Sequence, residues 1–335
     1  MNATGRFPLA DWIDTHADCR YDLATSGMRG SIPLSPWPAR RPSRESEPEL
    51  RDELAQHLGV APERVFLSHG ASEANAWVLG YLRRETARAG QTPTVRVRHP
   101  EYPPLPDTAQ ALGFRVRRHP LPAQVAVVSR PQNPEGDLWS EENLARFAEG
   151  SRHLLVDETF REFADVPSVA AEGEPRWWAT GSFTKFYGAD EARVGFAIAP
   201  PEAHAPFLRY VGLVSDDLAP GSAAMALVLL RSFGSVRKAV RRVVDRNLRA
   251  LSASFPGRPG PVAPLFFDRV PGGNGRRLAE RCLEASVLVC PGPYFGDPRG
   301  VRICLTRRNF PDGVEAYRAI RDGPARRPSA REARV

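Results

Sequence analysis

Lysine is nearly absent from this 335-residue chain. Of its 46 lysine and arginine residues only Lys185 and Lys238 are lysine, which leaves 44 arginines. A base-composition bias that swaps lysine for arginine wherever a generic cation suffices accounts for that ratio. A lysine kept against it marks a place where an amine of adjustable pKa serves and a guanidinium does not. Long apolar runs are missing as well. The longest, Ala223 to Leu230, holds eight residues, against the roughly 20 that a membrane-spanning helix needs. The opening stretch MNATGRFPLADWID has no basic region followed by an apolar one, so no secretory leader is expected. Cysteine is sparse, and Cys19, Cys282, Cys290 and Cys304 form neither a CxxC pair nor a close-spaced framework. Reduced thiols and a cytoplasmic location are the expectation. The seven histidines lack metal-site spacing and HExxH does not occur, so no metal is expected.

What is present is ordinary globular material, 42% hydrophobic and 25% charged, and the length suggests about two domains. The net charge of +7 raises the question of a nucleic-acid partner. The arginines are scattered, however, and no zinc-finger, RNP or basic-zipper pattern appears, so neither nucleic acid nor membrane is expected as a partner. Residues 1–45 are rich in proline, arginine and serine without sustained periodicity and read as an arm wrapped over something else. From about Pro48 to Ala199 short β-type runs alternate with helical stretches. That alternation predicts an α/β fold with a mainly parallel sheet covered by helices on both faces. Beyond Gly221 come an apolar helix, a long arginine-studded amphipathic helix over Ser235–Ser254, and then mixed strands and helices. We expect a large domain over 46–235, a smaller α+β domain over 236–323 and a disordered tail at 324–335.

The strongest chemical signal is GSFTKFYGADEARVGF, residues 181–196. Lys185 follows a serine and a threonine after an apolar strand, with Arg193 eight positions on. A lysine amine of lowered pKa serves Schiff-base chemistry, and neighbouring hydroxyls with an arginine suit a phosphate monoester. The plain alternative is a surface lysine in a polar loop. Upstream, LLVDE puts Asp157 at the carboxyl end of a buried-type strand, the end that faces ligands in open α/β sheets. A carboxylate there suits a protonated pyridine nitrogen or, equally, a helix N-cap. HGASEAN places Ser72 at a strand-to-helix junction suited to phosphate, or simply to capping. RPQNPEG puts Asn133 in a proline-bounded turn. His69 reads as a packing residue, and the pair Trp177 and Trp178 as core or domain interface.

In order and spacing these segments resemble the class I/II aminotransferases of the pyridoxal-phosphate fold-type I superfamily, nearest the histidinol-phosphate aminotransferase and threonine-phosphate decarboxylase branch. The resemblance runs from about Val65 to Leu305. It implies a large three-layer α/β/α domain with a smaller α+β domain, pyridoxal 5'-phosphate as cofactor, and a homodimer. It further implies that Lys185 forms the internal aldimine, that Asp157 pairs with the ring nitrogen, and that Asn133 bonds the ring 3-hydroxyl. Tyr102 of HPEYPPL would stack on the ring. Ala71 and Ser72 would hold the phosphate together with Ser182 and Arg193. Arg302 of PYFGDPRGVRICL would grip the substrate α-carboxylate.

The chain departs from that pattern in places. Phe160 stands where the family usually has a tyrosine that bonds the ring oxygen, the arm has no evident tyrosine to lend a neighbouring subunit, and ATSGM (Ala24–Met28) replaces an asparagine-rich stretch. The expected activity is amino transfer between an α-amino acid and a 2-oxo acid. A decarboxylase on the same cofactor and a non-catalytic binding module of the same fold are the alternatives.

Overall fold

The computed structural model describes residues 7–33, 42–87, 91–171, 175–270 and 273–323. The tail expected to be disordered lies outside these residues, as do parts of the arm. The arm opens with helix α1 (Pro8–Thr15) and a short strand β1 (Tyr21–Asp22). Sequence periodicity gave no sign of α1, because eight residues make barely two turns, too few for a spacing pattern to stand out. Its formation rests instead on burying Leu9, Phe7 and Trp12 against Phe267, Leu288 and Phe295, while Trp12 Nε1 donates to Val289 O at 2.9 Å.

Helix α2 (Ser46–Leu58) leads into the central sheet, built from β2 (Val65–Ser68), β3 (Thr94–Val97), β4 (Arg115–Arg118), β5 (Val125–Ser129), β6 (His153–Asp157), β7 (Trp177–Ser182) and β8 (Gly195–Ile198). Its order is β2-β8-β7-β6-β5-β3-β4. Strand β8 runs antiparallel to both β2 and β7, and the remaining neighbours are parallel. VAVVS and HLLVD are continuous apolar runs because both faces of a parallel sheet are covered. Ala126, Val128, Leu154 and Val156 pack on one face with Leu50 and Leu54 of α2. Val125, Val127, Leu155 and Trp178 pack on the other, beneath Trp77, Val78 and Leu82. Those three residues belong to α3 (Ala71–Thr86); α4 (Pro104–Ala111), α5 (Glu141–Ala148) and the short α6 (Arg161–Ala164) complete the crossovers. Trp178 is thus core, as one of its two expected readings had it.

Helices α7 (His204–Val214) and α8 (Pro220–Arg231) follow, then α9 (Phe233–Ser254). Helix α9 links two cores: Val240 and Val243 join the sheet cluster, whereas Leu251 belongs to a second cluster with Phe266, Ile303 and Tyr317. That second unit contains β9 (Leu265–Arg269), α10 (Gly275–Glu284), β10 (Val287–Leu288), β11 (Cys290–Pro291), β12 (Gly300–Cys304) and α11 (Phe310–Asp322). The extended run from Val287 to Pro291 divides at Val289. Its first half pairs parallel with β1, and its second half pairs antiparallel with β12. The arm supplies the extra strand that causes the division.

The NPEG turn fastens the two units. Gly136 has φ 75°, and its carbonyl accepts from Val262 N at 2.9 Å and Ala263 N at 3.1 Å. A Cβ at Gly136 would lie 2.1 Å from Leu265 O. Gly136→Ala therefore combines left-handed backbone strain with a clash against main chain. It is expected to lower stability by about 2 kcal/mol or more, read as an earlier unfolding transition in denaturant.

Candidate active site

The carboxyl ends of β5, β6 and β7 open into one cavity of about 290 Å³. Ala71, Ser72, Tyr102, Asn133, Asp157, Ser182, Lys185, Arg193 and Arg302 all line it. Every site residue expected from the sequence is therefore brought to a single wall, although the first and last of them are more than 200 positions apart.

One end of the cavity is built for an anion. Helix α3 begins at Ala71 behind Gly70, whose φ of 101° turns the chain into the helix. Strand β8 approaches this turn so closely that a Cβ on Gly195 would sit 2.4 Å from Gly70 C and 2.6 Å from Ala71 N. Only glycine permits that approach, which leaves the first N–H groups of α3 facing the cavity with the positive end of the helix dipole. Arg193 adopts φ 50° beside them, and its guanidinium donates to His69 O at 3.3 Å. Ser182 Oγ and Thr184 Oγ1 lie 2.8 Å apart at the end of β7.

In the middle, Asp157 is held as an acceptor. Asn75 Nδ2 donates to its Oδ2 at 2.9 Å and Thr159 N donates to its Oδ1 at the same distance. Thr180 Oγ1 in turn donates to Asn75 Oδ1 at 2.6 Å, so the amide orientation is determined. Burial, and then the charge of Asp157, push the Tyr102 phenol up to about 12. Lys185 is half-buried at the cavity wall, and desolvation holds its amine below the ordinary lysine range. Asp190 opposes that depression, while Arg302 and Arg193 add to it. Phe160 also lines the cavity and packs against Leu265 and Cys304.

At the far end Arg302, 2% exposed, is a buried cation. Its guanidinium donates to Asn133 Oδ1 at 3.0 Å, to Ala24 O at 2.9 Å and to Cys290 Sγ at 3.1 Å. Its Nε has no hydrogen-bond partner, and among the described residues no carboxylate pairs with it. Burying a charge without a counter-charge is costly. The donor set therefore calls for an anion from outside the chain.

Several residues that line the cavity, and one buried behind it, escaped the sequence reading. Asn75 lies one turn into α3, inside the HGASEAN segment, yet nothing in the spacing singles it out. Glu101, next to Tyr102, is buried, and desolvation raises its carboxyl to about 8. It accepts from Ser129 Oγ at 2.5 Å and Tyr102 N at 2.8 Å, and Ser129 Oγ accepts from Asn133 N at 2.9 Å. Ser26 and Phe7 of the arm and Asp190 of the lysine loop also line the cavity.

Comparison with known proteins agrees with this architecture. Residues 39–316 match the family described as Aminotransferase class I and II. Histidinol-phosphate aminotransferase 1 of Mesorhizobium japonicum is 25% identical over 317 residues, covering 84% of this chain and 82% of that protein. The histidinol-phosphate aminotransferase of Geobacter sp. strain M21 is 27% identical over 299 residues, covering 82% and 81%. Among solved structures, a pyridoxal-phosphate-dependent aminotransferase from Streptococcus suis superposes with a TM-score of 0.80 at 20% identity, covering 94% of this chain and 97% of that one. The histidinol-phosphate aminotransferase from Clostridium acetobutylicum gives 0.72 at 15% identity, covering 90% and 99%. At such identities the structural likeness speaks to the fold, which is fold type I, while the family match covers most of the sequence. The chain belongs to the class I and II aminotransferase family and is a pyridoxal-phosphate-dependent aminotransferase acting on amino and 2-oxo acids.

Proposed function

We propose that this cavity is where the amino group is exchanged, with Lys185 as the residue that attaches the cofactor and moves the proton. The observation that carries the reading is that one cavity gathers an anion-binding end, a carboxylate fixed as an acceptor, a depressed lysine, and a buried guanidinium with no carboxylate partner among the described residues. Those donors fit pyridoxal phosphate. The N–H groups of Ala71 and Ser72, with Ser182 and Arg193, would hold its phosphate, and Asp157 its ring nitrogen. Asn133 would bond the ring oxygen through Nδ2, since its Oδ1 is taken by Arg302, and Tyr102 would cover the ring. When bound, the cofactor supplies an aldehyde that captures amines and a ring that accepts an electron pair.

The chain's own residues do the rest. Desolvation keeps a fraction of Lys185 Nζ unprotonated and nucleophilic. With a substrate amine in its place on the cofactor, Nζ would remain in the cavity and take the proton from the substrate α-carbon. Arg302 grips the α-carboxylate and so fixes which bond of that carbon faces Lys185. We further propose a homodimer in the cytoplasm. Leu208, Leu213 and Val214 of α7 are 54%, 79% and 50% exposed, an apolar face suited to a second copy. The four cysteines are free thiols, which suits a reducing compartment.

Borohydride reduction of the holoenzyme should fix the cofactor to a peptide containing Lys185, and Lys185→Ala should abolish both label and activity while the fold persists. Lys238 is exposed on α9; label found there would overturn the assignment. Arg302→Ala should weaken carboxylate substrates by about 2–5 kcal/mol while cofactor affinity changes little, as measured by substrate titration of the visible band. Unchanged substrate affinity would remove Arg302 from its role.

Glu101 predicts a pH effect on stability. Its folded pKa of about 8 lies above the ordinary 4.5, so between those values the native state binds more protons than the unfolded chain. Its contribution is present in full below about pH 4.5 and is lost as pH rises through about 8. Glu101→Gln should flatten that part of the curve of melting temperature against pH. A curve that keeps its slope in the variant would assign the dependence elsewhere.

A further inference from the structure

The charges that line the cavity do not balance once the roles above are filled. The cations are Lys185, Arg193 and Arg302, and the anions are Asp157 and Asp190. On the reading above, Arg193 meets the cofactor phosphate, Arg302 the substrate α-carboxylate, and Asp157 the ring nitrogen, while Lys185 is linked to the cofactor at rest and, once released, must be neutral to take the α-proton. Asp190 is left over. Among the described residues its carboxylate makes no hydrogen bond and no close ion pair; only its longer-range attraction for the Lys185 amine is seen, and it is half-buried.

Asp190 is also held in place. Asp190 Oδ2 and Lys185 Cδ approach a common point, the position a Cβ would occupy on Gly27, to 3.6 and 3.7 Å. The loop carrying it is tied down by Ala189 N donating to Phe183 O at 3.3 Å and Ala192 N donating to Ala189 O at 3.2 Å. Arm residue Met28 donates its N–H to Lys185 O at 2.9 Å, so the arm lies over this loop. The adjacent acid behaves differently: Glu191 is 60% exposed and pairs with Arg29 on the outer surface. One carboxylate of the pair is spent outside, and the other faces the cavity beside the reacting amine.

A carboxylate partly withdrawn from water and left unpaired is costly, and the cost is relieved when a donor cation arrives. We propose that the substrate is an amino acid whose side chain carries a second cation, an amine or a guanidinium, and that Asp190 receives it. The inference rests on the reading of Lys185 and Arg302 given above.

The test compares substrates that differ in side-chain charge at nearly constant shape: ornithine with norvaline, lysine with norleucine, arginine with citrulline. Rates come from the loss of the visible band of the holoenzyme. For at least one pair the cationic member should be favoured in kcat/KM by about 10–100-fold, the worth of a charge-assisted hydrogen bond. Asp190→Asn should shrink that ratio by about tenfold or more. Calorimetry gives a readout without turnover: 5-guanidinopentanoate should bind the holoenzyme more tightly than 5-ureidopentanoate, neither of which carries an amine that condenses with the cofactor aldehyde, and Asp190→Asn should remove the difference. A wild-type enzyme indifferent to side-chain charge would overturn the proposal. So would an Asp190→Asn variant that loses rate equally on both members of every pair, since Asp190 would then act through Lys185. If no amino acid alters the visible band, the underlying reading of Lys185 and Arg302 fails, and the calorimetric comparison still decides the role of Asp190.

Discussion

The guanidinium of Arg302 is the constraint around which the rest of the molecule is arranged. It sits on β12, the central strand of the small sheet, and its hydrogen bonds reach Asn133 of the large unit and Ala24 of the arm. Three stretches of chain that are remote in sequence therefore converge on one buried cation. Neutral acceptors take its two terminal nitrogens but leave Nε without a partner and its charge uncompensated. The Ala24 carbonyl also receives Cys304 Sγ at 3.2 Å, so the arm is drawn into this corner and carries Ser26 to the cavity wall. Losing the arm would expose the guanidinium, and losing the guanidinium would leave the carbonyl of Ala24 short of its strongest donor.

The sheet, by comparison, provides a rigid frame. Side chains alternate along β5 and β6, so each strand feeds the two covering layers in turn. With both faces sealed, the cavity residues come from the strand ends and the loops that follow them, where a polar side chain meets a cavity instead of a core. Asp157, Ser182 and Ser129 are each the last residue of a strand. Lys185 comes three residues after β7, close enough to be positioned by the strand.

That arrangement explains what could be read from the sequence. Asp157 and Lys185 were legible because each follows a buried apolar run, and the run itself announces the sheet. Asn133 was legible through its prolines, and Arg302 through the segment before it. Other features depend on contacts that no local pattern records. Helix α1 exists because Trp12 and Leu9 find partners nearly 280 residues away. Val289 divides a strand because the arm claims its first half. Glu101 looks like an ordinary surface acid beside a tyrosine; its burial against Ser129 follows from the tertiary fold alone. Asp190 and Glu191 are neighbouring acids with no local pattern to tell inward from outward, and the turn between Ala189 and Ala192 sends one in and the other out.

Asn133 joins the two halves of the cavity. Its main-chain N–H is fixed by Ser129, which Glu101 holds, and its side-chain oxygen is taken by Arg302. Only Nδ2 remains to face the cavity. With Phe160 in place of a tyrosine, no phenol hydroxyl at that position adds a second donor toward a ring oxygen. On the proposed reading Asn133 then carries that contact while also bearing on the arginine that binds the substrate carboxylate. When a carboxylate reaches Arg302 it competes for the same guanidinium, and any weakening of the Arg302–Asn133 bond alters how Asn133 is oriented. On that reading substrate binding and the electronic state of the cofactor ring are linked through a single amide, and the buried Glu101–Ser129 pair stiffens that link from behind.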